Sequence, residues 1–296
     1  MNSMQGKTVL ITGAARGIGA ETARHLARAG ARLLLVDLDE VGLKSLAAEL
    51  DSDDVVTVTA DVCDLGGMES AVAQGLERFG GIDVVVANAG IASYGSVLAV
   101  DPATFKRVID INLLGVFHTV RAALPSVIEN EGYVLVVSSM AAFGAMAGLA
   151  SYNASKAGVE HFANALRLEV KHLGVDVGVA HMSWIDTPLV RDAREDLTAF
   201  GRMIATLPPP MNKTTSVEAC GKAFAAGIAA RKRRIFVPGW VAIAAAARTL
   251  LNSRMLEAGA LRHIPKLLPL MDEEVRRLGR STSIRNVELS DEIVDR

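Results

Sequence analysis

The chain has 296 residues, of which half are hydrophobic and 26 are glycine. This composition is typical of a globular protein with a large core and excludes a disordered or fibrous one. The net charge of -2 gives no electrostatic reason to expect a nucleic-acid partner. The two cysteines, Cys63 and Cys220, are too few for a disulfide framework, and neither has the neighbours of a zinc ligand, so no metal site is expected.

The N-terminal stretch MNSMQGKTVL leads directly into an apparent strand, without a charged segment followed by a long apolar one. No run reaches about 18 apolar residues, so no membrane-spanning helix is expected. The sequence therefore predicts a soluble, cytoplasmic protein.

Over the first 180 residues, short apolar runs alternate with helical patterns. Strands are predicted at 7–12, 32–37, 54–59, 82–87, 132–137 and 175–180, mostly apolar on both faces, as in a buried parallel sheet. Helices are predicted at 19–30, 42–50, 68–80 and 101–124, the last with Asp101 as N-cap and Pro102 after it. Repeated strand–helix–strand units predict an α/β fold, a doubly wound parallel sheet of the Rossmann type.

The pattern loosens after residue 182. Residues 183–215 are polar and proline-rich and are interpreted as a lobe or flap. A helix at about 216–230, a strand at 234–239 and an alanine-rich helix from about Trp240 follow. We expect a single domain over 5–240 and a helical extension over 241–296, with a frayed polar end in RSTSIRNVELSDEIVDR.

A glycine-rich turn, TGAARGIG at 12–19, joins the first strand to the first helix. Its glycines, Gly13, Gly17 and Gly19, do not have the usual GxGxxG spacing, and turns use glycine for other reasons. The place between a strand and a helix nevertheless favours a nucleotide site, because a turn without Cβ atoms lets backbone N–H groups approach a pyrophosphate.

Asp37 ends the second predicted strand, where a carboxylate can accept hydrogen bonds from an adenosine ribose and repel a 2′-phosphate. It could instead cap the following helix. Arg16 argues the other way, because a guanidinium in the glycine turn could bind a 2′-phosphate. Since Leu38 adds no second positive charge, the sequence favours NAD and admits NADP.

Six short motifs follow one another in order: TGAARGIG, DVCD (61–64), NAG (88–90), NLLG (112–115), SS (138–139) and YNASK (152–156). Together they resemble the short-chain dehydrogenase/reductase family over about residues 5–240. The resemblance implies that 5–240 is a dinucleotide-binding and catalytic domain, with 183–215 as its substrate lobe.

The resemblance also implies a catalytic tetrad of Asn112, Ser139, Tyr152 and Lys156. Helical i, i+4 spacing puts Tyr152 beside Lys156, whose ammonium favours the phenolate and is expected to lower the tyrosine pKa from about 10. Tyr152 would exchange a proton while hydride passes between the nicotinamide and the substrate carbon. Ser139 would bond the substrate oxygen, and Asn112 would hold a water that links Lys156 to solvent.

A wider set of cofactor contacts is implied in the same way. It consists of Gly13, Arg16, Gly17, Ile18, Gly19, Asp37, Asp61, Val62, Asn88, Ala89, Gly90, Tyr152, Lys156, Ile185 and Thr187. One departure from the family lies close to the last two. Met182 and Ser183 stand where the family has Pro-Gly, and a positive φ would be costly without that glycine.

The substrate pocket is expected to be lined by Ala141, Phe143, Met146, Leu149, Trp184 and Leu189. Because this set is mostly apolar, we expect a lipophilic secondary alcohol or ketone of steroid, terpenoid, retinoid or fatty type. Two alternatives stay open: an NADP-dependent carbonyl reductase, and a non-catalytic nucleotide-binding protein, which would be expected to have a broken tetrad.

Family members are usually dimers or tetramers, with helices 101–124 and 152–173 across a two-fold axis. Val116, Val120 and Phe162 are compatible with such a contact or with the sheet. The C-terminal extension is interpreted either as a packing or dimer-swapped tail, or as an apolar cap over the substrate pocket that touches a membrane surface. The basic run RKRR (231–234) and Trp240 motivate the second interpretation.

Overall fold

The protein is described by a computed structural model over residues 4–251 and 253–294. One parallel sheet of seven strands forms its centre, in the order β3-β2-β1-β4-β5-β6-β7. The strands are β1 (Thr8–Thr12), β2 (Arg32–Asp37), β3 (Val55–Thr59), β4 (Val84–Ala87), β5 (Tyr133–Val137), β6 (Asp176–Met182) and β7 (Arg234–Val237). The predicted fold class is confirmed, and every predicted strand boundary lies within two residues of the observed one.

The helices of the first part of the chain are α1 (Gly17–Arg28), α2 (Glu40–Leu50), α3 (Leu65–Phe79), α4 (Pro102–Ile109), α5 (Gly115–Glu129) and α6 (Ala150–Val170). Those of the second part are α7 (Pro188–Asp196), α8 (Thr198–Ala205), α9 (Val217–Ala229), α10 (Val241–Ala246), α11 (Arg248–Leu251), α12 (Arg254–Leu261), α13 (Ile264–Leu278) and α14 (Ile284–Val294). Short 3₁₀ turns lie at Met140–Ala142 and Lys171–Leu173.

Successive residues of each strand contribute side chains to two separate hydrophobic cores, one on each face of the sheet. Val9 and Ile11 of β1 pack with α1 and α9, whereas Leu10 between them packs with α3, α5 and α6. A strand alternates its side chains between faces, so a strand covered on both faces needs apolar residues throughout. This requirement explains the continuous apolar runs in the sequence.

The long helix predicted at 101–124 is interrupted. Residues Asp110–Leu114 form a π turn between α4 and α5, in which the Gly115 N–H bonds to the Asp110 carbonyl. The extra residue shifts the hydrogen-bond register by one position, and such turns are frequent at functional sites. Asn112 lies at the centre of this turn.

The segment Pro102–Glu129 is long and apolar enough to span a membrane, contrary to the expectation from the sequence. Half of its most apolar stretch is buried in the protein. Val116 and Val120 face the sheet as part of the core, so they are not available for a subunit contact. The hydrophobicity of this segment is explained by core packing.

The departure at Met182 and Ser183 is accommodated by the sheet. β6 continues through Met182, which pairs with Val237, and the Ser183 N–H donates to the Val237 carbonyl at 2.9 Å. Neither residue has a positive φ. The expected backbone cost of losing glycine here is therefore not incurred.

The C-terminal extension folds back over its own chain. Met271 and Val275 of α13 are buried against Phe200 and Met203 of α8, and Glu274 accepts a 3.0 Å hydrogen bond from the Ala199 N–H. The polar end, which was expected to be frayed, forms α14 as far as Val294, and only Asp295 and Arg296 of it lie outside the described residues, as does Asn252 earlier in the extension. Tertiary contacts outweigh the polar composition of this segment.

Candidate active site

A single cavity of about 670 Å³ lies beyond the carboxyl ends of the central strands. The strand order reverses here, with β2 and β3 on one side of β1 and β4 to β7 on the other. This switch point is where open α/β sheets bind ligands. One end of the cavity is lined by the glycine turn and Asp37, and the other by apolar residues of the lobe and the C-terminal extension.

The glycine turn is packed against the loop after β4. A Cβ on Gly13, whose φ is +64°, would lie 2.8 Å from Ala89 Cα, and a Cβ on Gly19 would lie 2.1 Å from the Gly13 carbonyl oxygen. The Asn88 side chain donates to the carbonyls of Thr12 and Gly13, both at 3.0 Å. Asn88 and Ala89, which follow the neighbouring strand β4, therefore hold the glycine turn in place. Gly90 comes next in the chain and also lines the cavity.

Thr12 also holds the glycine turn against the loop after β4, although the sequence did not predict it as a site residue. Its Oγ1 accepts from the backbone N–H groups of Asn88 at 3.2 Å and Ala89 at 3.3 Å. Threonine at a strand end is common for packing reasons, so its type alone gave no signal. Its position one residue before Gly13 is the feature that identifies it.

Helix α1 begins at this turn without a side-chain cap, since Arg16 at the N-cap position makes no capping bond. By contrast, α2, α3, α4 and α9 are each capped by an Asp or Ser side chain. The first N–H groups of α1, near Gly17 and Ile18, line the cavity. An uncapped helix N-terminus facing a cavity is suited to an anion such as a pyrophosphate.

Asp37 lies at the cavity wall and is held by backbone donors. Its carboxylate accepts from the Ala15 N–H at 2.9 Å and the Asp39 N–H at 3.0 Å. Burial raises the pKa of Asp37, and these two hydrogen bonds partly oppose that effect. The helix that follows is capped by Asp39, so the capping role considered for Asp37 belongs to its neighbour.

Asp61 and Val62 also line the cavity, beyond Asp37. The Asp61 carboxylate accepts from Arg107 at 3.0 Å and from the Cys63 N–H at 2.9 Å. The Val62 carbonyl contacts His118 Nδ1 at 2.9 Å. The loop after β3 is thus fixed by helices α4 and α5, with the Val62 side chain packed against Gly115.

Tyr152, Lys156 and Ser139 meet in the middle of the cavity. The Lys156 ammonium lies 5.6 Å from the centroid of the Tyr152 ring and donates to the Val137 carbonyl at 3.0 Å. Burial lowers the pKa of Lys156 to about 8. Burial also raises the pKa of Tyr152, against an opposing hydrogen bond with Ser139. The protein's own groups therefore do not produce the expected net lowering of the tyrosine pKa, because desolvation of the phenolate is the larger effect.

Asn112 is fully buried, and its side-chain amide is engaged on both sides. Its Oδ1 accepts from the Ile91 N–H at 2.9 Å, and its Nδ2 donates to the Ile91 carbonyl at 2.9 Å and to Ser155 Oγ at 3.0 Å. Ser155 in turn donates to the Tyr152 carbonyl at 2.9 Å. Asn112 therefore joins the π turn to the catalytic helix α6, and its Oδ1, which accepts one hydrogen bond, keeps a second lone pair.

Ile185 and Thr187 line the cavity, and Thr187 lies next to the start of α1. Ile185 is buried and forms an isolated bridge with Thr215, while Thr187 Cγ2 lies 3.5 Å from the position a Gly17 Cβ would take. The structure thus brings every predicted site residue except Gly19 and Asn112 to the cavity wall, and these two pack directly behind it.

The apolar end of the cavity agrees with the predicted lining in Ala141, Met146, Leu149, Trp184 and Leu189. Phe143 was wrongly placed there: it is buried in a separate cluster with Met140 and Val241, next to His181. The C-terminal extension adds Leu251, Gly259, His263, Ile264 and Leu267 to this end, and the last residues of the chain add Ser283, Asn286 and Leu289 to the cavity on the side of Asp39. These residues were missed because the contacts that bring them here are far apart in sequence.

Similar proteins of known family show which family this chain belongs to. The profile of the short chain dehydrogenase family matches residues 7–198. An uncharacterized NAD-dependent oxidoreductase of Mycobacterium tuberculosis is 33% identical over 205 residues, covering 64% of this chain and 74% of the relative. A (-)-trans-carveol dehydrogenase of Rhodococcus erythropolis is 35% identical over 209 residues, covering 65% of this chain and 76% of the relative.

A solved structure agrees with these relatives. The 3-ketoacyl-(acyl-carrier-protein) reductase from Brucella melitensis, complexed with NADH, superposes with a TM-score of 0.71 at 28% identity, covering 79% of this chain and 97% of that one. Sequence, fold and site agree with one another. The chain belongs to the short-chain dehydrogenase family.

Proposed function

We propose that this protein is an NAD-linked oxidoreductase that interconverts a lipophilic secondary alcohol and its ketone. The observation that carries the proposal is the meeting of Tyr152, Lys156 and Ser139 between a glycine-lined end and an apolar end of one cavity. Family membership makes it an oxidoreductase of CH–OH groups. The catalytic domain is assigned to 5–240, with the lobe at 183–215 and the extension at 241–296 as its cover.

The glycine-lined end fits a dinucleotide. The uncapped start of α1, with Gly13, Arg16, Gly17 and Ile18, would hold the pyrophosphate. Asp37 would accept hydrogen bonds from the adenosine ribose. The remaining assigned contacts are Gly19, Asp61, Val62, Asn88, Ala89, Gly90, Ile185 and Thr187, with Tyr152 and Lys156 at the nicotinamide ribose.

NAD is preferred to NADP on the basis of Asp37. Its carboxylate is fixed by two backbone N–H groups and would repel a 2′-phosphate. The solved relative from Brucella melitensis contains NADH, and the mycobacterial relative is named NAD-dependent. Arg16 supports the alternative of an NADP-dependent carbonyl reductase, so the affinities for NADH and NADPH are to be compared directly; tighter NADPH binding would overturn the preference.

The catalytic roles follow from the site. When bound, the nicotinamide supplies the acceptor or donor of hydride. Tyr152 exchanges a proton with the substrate oxygen, and Ser139 bonds the same oxygen. Lys156, held by the Val137 carbonyl, stabilises the phenolate as it forms. Asn112 joins the π turn to α6 through Ser155 and would hold a water that links Lys156 to solvent.

The substrate class is inferred from the apolar end. Met146, Leu149, Trp184, Leu189 and Leu267 line it, and the charged groups of the described lining there are limited to Asp192 and His263, beside the phenol of Tyr94. No lysine or arginine of the described lining lies there to anchor a carboxylate, since Arg16 and Lys156 have other assignments. The relative named for carveol, an uncharged alcohol, supports this substrate class, whereas the relative named for trans-4-hydroxycyclohexanecarboxylate supports only an alcohol substrate.

The deciding experiment is a spectrophotometric screen of the purified protein with NAD⁺ and NADP⁺. The alcohol panel would run from small polar alcohols to steroids and terpenoids, with Tyr152→Phe as control. We expect NAD⁺-linked turnover of lipophilic alcohols that the variant lacks. Robust turnover confined to small charged hydroxy acids or sugars would overturn the substrate class. Silence in the presence of cofactor binding would favour a non-catalytic nucleotide-binding protein.

The proposal also covers the oligomeric state and the cellular location of the protein. A homodimer or homotetramer through α5 and α6 would use Leu114, Phe117, Phe162 and Leu168; three of these are exposed, and Phe162 is half-buried beside Phe117. Light scattering after gel filtration tests it, and a monomer at micromolar concentration would exclude it. A cytoplasmic location stays a prediction.

Peripheral membrane contact is proposed for the outer face of the extension. Ile243, Leu250 and Leu261 are exposed there, and Arg254 and Arg262 are exposed beside them. Sedimentation with anionic liposomes at low salt tests it. If the protein stays in the supernatant, the contact is excluded.

A further inference from the structure

The end of the chain is anchored beside the catalytic loop that follows β4. The Tyr94 N–H donates to the Ser281 carbonyl at 2.8 Å, and Thr282 Oγ1 donates to the Ala92 carbonyl at 2.9 Å. Ser281, Thr282 and Ser283 are all buried. The Ser281 carbonyl and the Thr282 hydroxyl both find partners in this loop, which makes the anchoring specific, while Ser281 Oγ has no partner among the described residues.

From that anchor, α14 crosses the mouth of the dinucleotide end. Ser283, Asn286 and Leu289, spaced three residues apart, share one face and line the same cavity as Gly13 and Asp37. The Asn286 amide donates to Thr282 Oγ1 at 2.9 Å, which fixes its side chain. This face offers a hydroxyl, an amide and an apolar side chain.

The far side of the crossing is tied by an ion pair. Arg285 Nη2 lies 3.1 Å from the carboxylate of Asp39, which also caps α2 through the Gly42 N–H at 2.9 Å. Although burial opposes it, the bonds from Gly42 and Arg285 leave the pKa of Asp39 below its ordinary value, so the carboxylate is charged at neutral pH. Asp39 is two residues beyond Asp37, so the tie closes over the adenosine ribose position.

We propose that residues 281–289 form a roof over the dinucleotide, in which Ser283 and Asn286 bind its adenosine-diphosphate half and the Arg285–Asp39 pair holds the roof closed. The inference rests on the proposed function, because it takes a dinucleotide as the occupant of this end. A hydroxyl and an amide can both donate to phosphate or ribose oxygens. Leu289 adds an apolar contact, and the cofactor leaves only when the tie opens.

The tie is tested by measuring dissociation of NADH and of ADP-ribose from the full-length protein by stopped-flow fluorescence and competition. Arg285→Met should speed dissociation of both probes about five-fold, the effect of a part-buried ion pair worth about 1 kcal/mol. The matched control is Arg276→Met, because Arg276 is exposed and pairs with Glu273 on its own helix. Added salt should speed release from the wild type and have a smaller effect on Arg285→Met.

Direct binding by Asn286 is tested with Asn286→Ala against Thr282→Val. Both variants remove the bond between these two side chains, but only the first removes a group that lines the cavity. We expect Asn286→Ala to weaken ADP-ribose about five-fold or more and Thr282→Val to have a smaller effect, with equal melting temperatures. Equal losses would show that Asn286 acts through Thr282 alone and would overturn its binding role.

The outcomes separate the two proposals. If the wild type binds neither NADH nor ADP-ribose, the proposed function fails. If it binds both and Arg285→Met releases them no faster than Arg276→Met, the roof is overturned while the proposed function stands.

Discussion

The two ends of the cavity differ in whether backbone or side chains form most of the wall. At the dinucleotide end the wall is backbone and short turns at the ends of β1, β2 and β4, and a Cβ on Gly13 or Gly19 would overlap backbone atoms. At the substrate end the wall is side chains from the lobe and from α12 and α13, and a Cβ on Gly259 would meet nothing within 4 Å. A wall of backbone accepts few changes, whereas a wall of side chains can change residue by residue. Changes at the glycines of the first end should therefore be nearly all-or-none, and changes to lining side chains should be graded.

The largest effect is expected where the two ends meet. Tyr152→Phe removes the proton donor and should lower kcat about a thousand-fold, since general acid–base catalysis contributes factors of that order. NADH affinity, measured by fluorescence titration, should not change, because the ring and its packing remain. A loss of NADH binding equal to the loss in rate would instead make Tyr152 a binding residue.

Paired glycine substitutions test the difference between the walls directly. Gly19→Ala places a Cβ 2.1 Å from the Gly13 carbonyl oxygen and should lower the free energy of unfolding by about 3 kcal/mol. Gly259→Ala adds a methyl group within α12 in open space and should raise it by about 0.5–1 kcal/mol. Urea unfolding measures both. Similar destabilisation at the two sites would contradict the comparison.

The pH dependence of stability tests the burial of Lys156 at the junction. Its pKa is lowered from 10.5 to about 8, so below pH 8 the folded protein carries a buried charge. Between about 8 and 10.5 the unfolded chain binds the extra proton, and this group's contribution to stability rises with pH, by on the order of 3 kcal/mol. Tyr152, whose pKa is raised, lowers stability only above its ordinary range near 10. The unfolding free energy of the wild type should therefore rise relative to that of Lys156→Met across that window; a constant difference would show that Lys156 is not desolvated.

The smallest effects are expected from two substitutions, one that alters cofactor binding and one that alters substrate binding. Asp37→Asn should weaken NADH about ten-fold, because a charged acceptor of ribose hydroxyls is lost, and should strengthen NADPH. Leu267→Ala should raise KM for a large alcohol a few-fold, about the effect of a few methylene contacts, and leave NADH affinity unchanged. Fluorescence titration and initial rates distinguish them. If each variant altered both ligands equally, the two ends would not be independent.

The sheet and the proximity of Tyr152 to Lys156 could be predicted because their signals are local. The buried strands have continuous apolar runs, such as Val9 to Ile11 in β1 and Val134 to Val137 in β5, and the tyrosine–lysine spacing needs only one helix. The π turn could not be predicted, because Asp110–Leu114 is as helical in composition as its neighbours. Val116 and Val120 show a similar limit: an apolar stripe does not say whether it faces the sheet or another subunit.

The extension was interpreted least accurately, for a physical reason. The polar end is held by Thr282 against Ala92 and by Arg280, which makes two hydrogen bonds of 2.8 and 3.0 Å to Asp196. These partners lie 190 and 84 residues away, and no local pattern reveals them. The interpretation as a cap over the substrate end agrees with its lining residues, and α14 extends that cover to the other end.

The Arg280–Asp196 pair also has a consequence for protein engineering. Together with Glu274, which bonds Thr198 and the Ala199 N–H, this pair connects the lobe to the C-terminal extension (the tail), so the residues of the two segments must match each other. A chimera of two relatives should therefore be joined near the end of β6, and the lobe and the tail should come from the same donor. A hybrid that divides them would put an unmatched carboxylate at Asp196 or an unmatched guanidinium at Arg280.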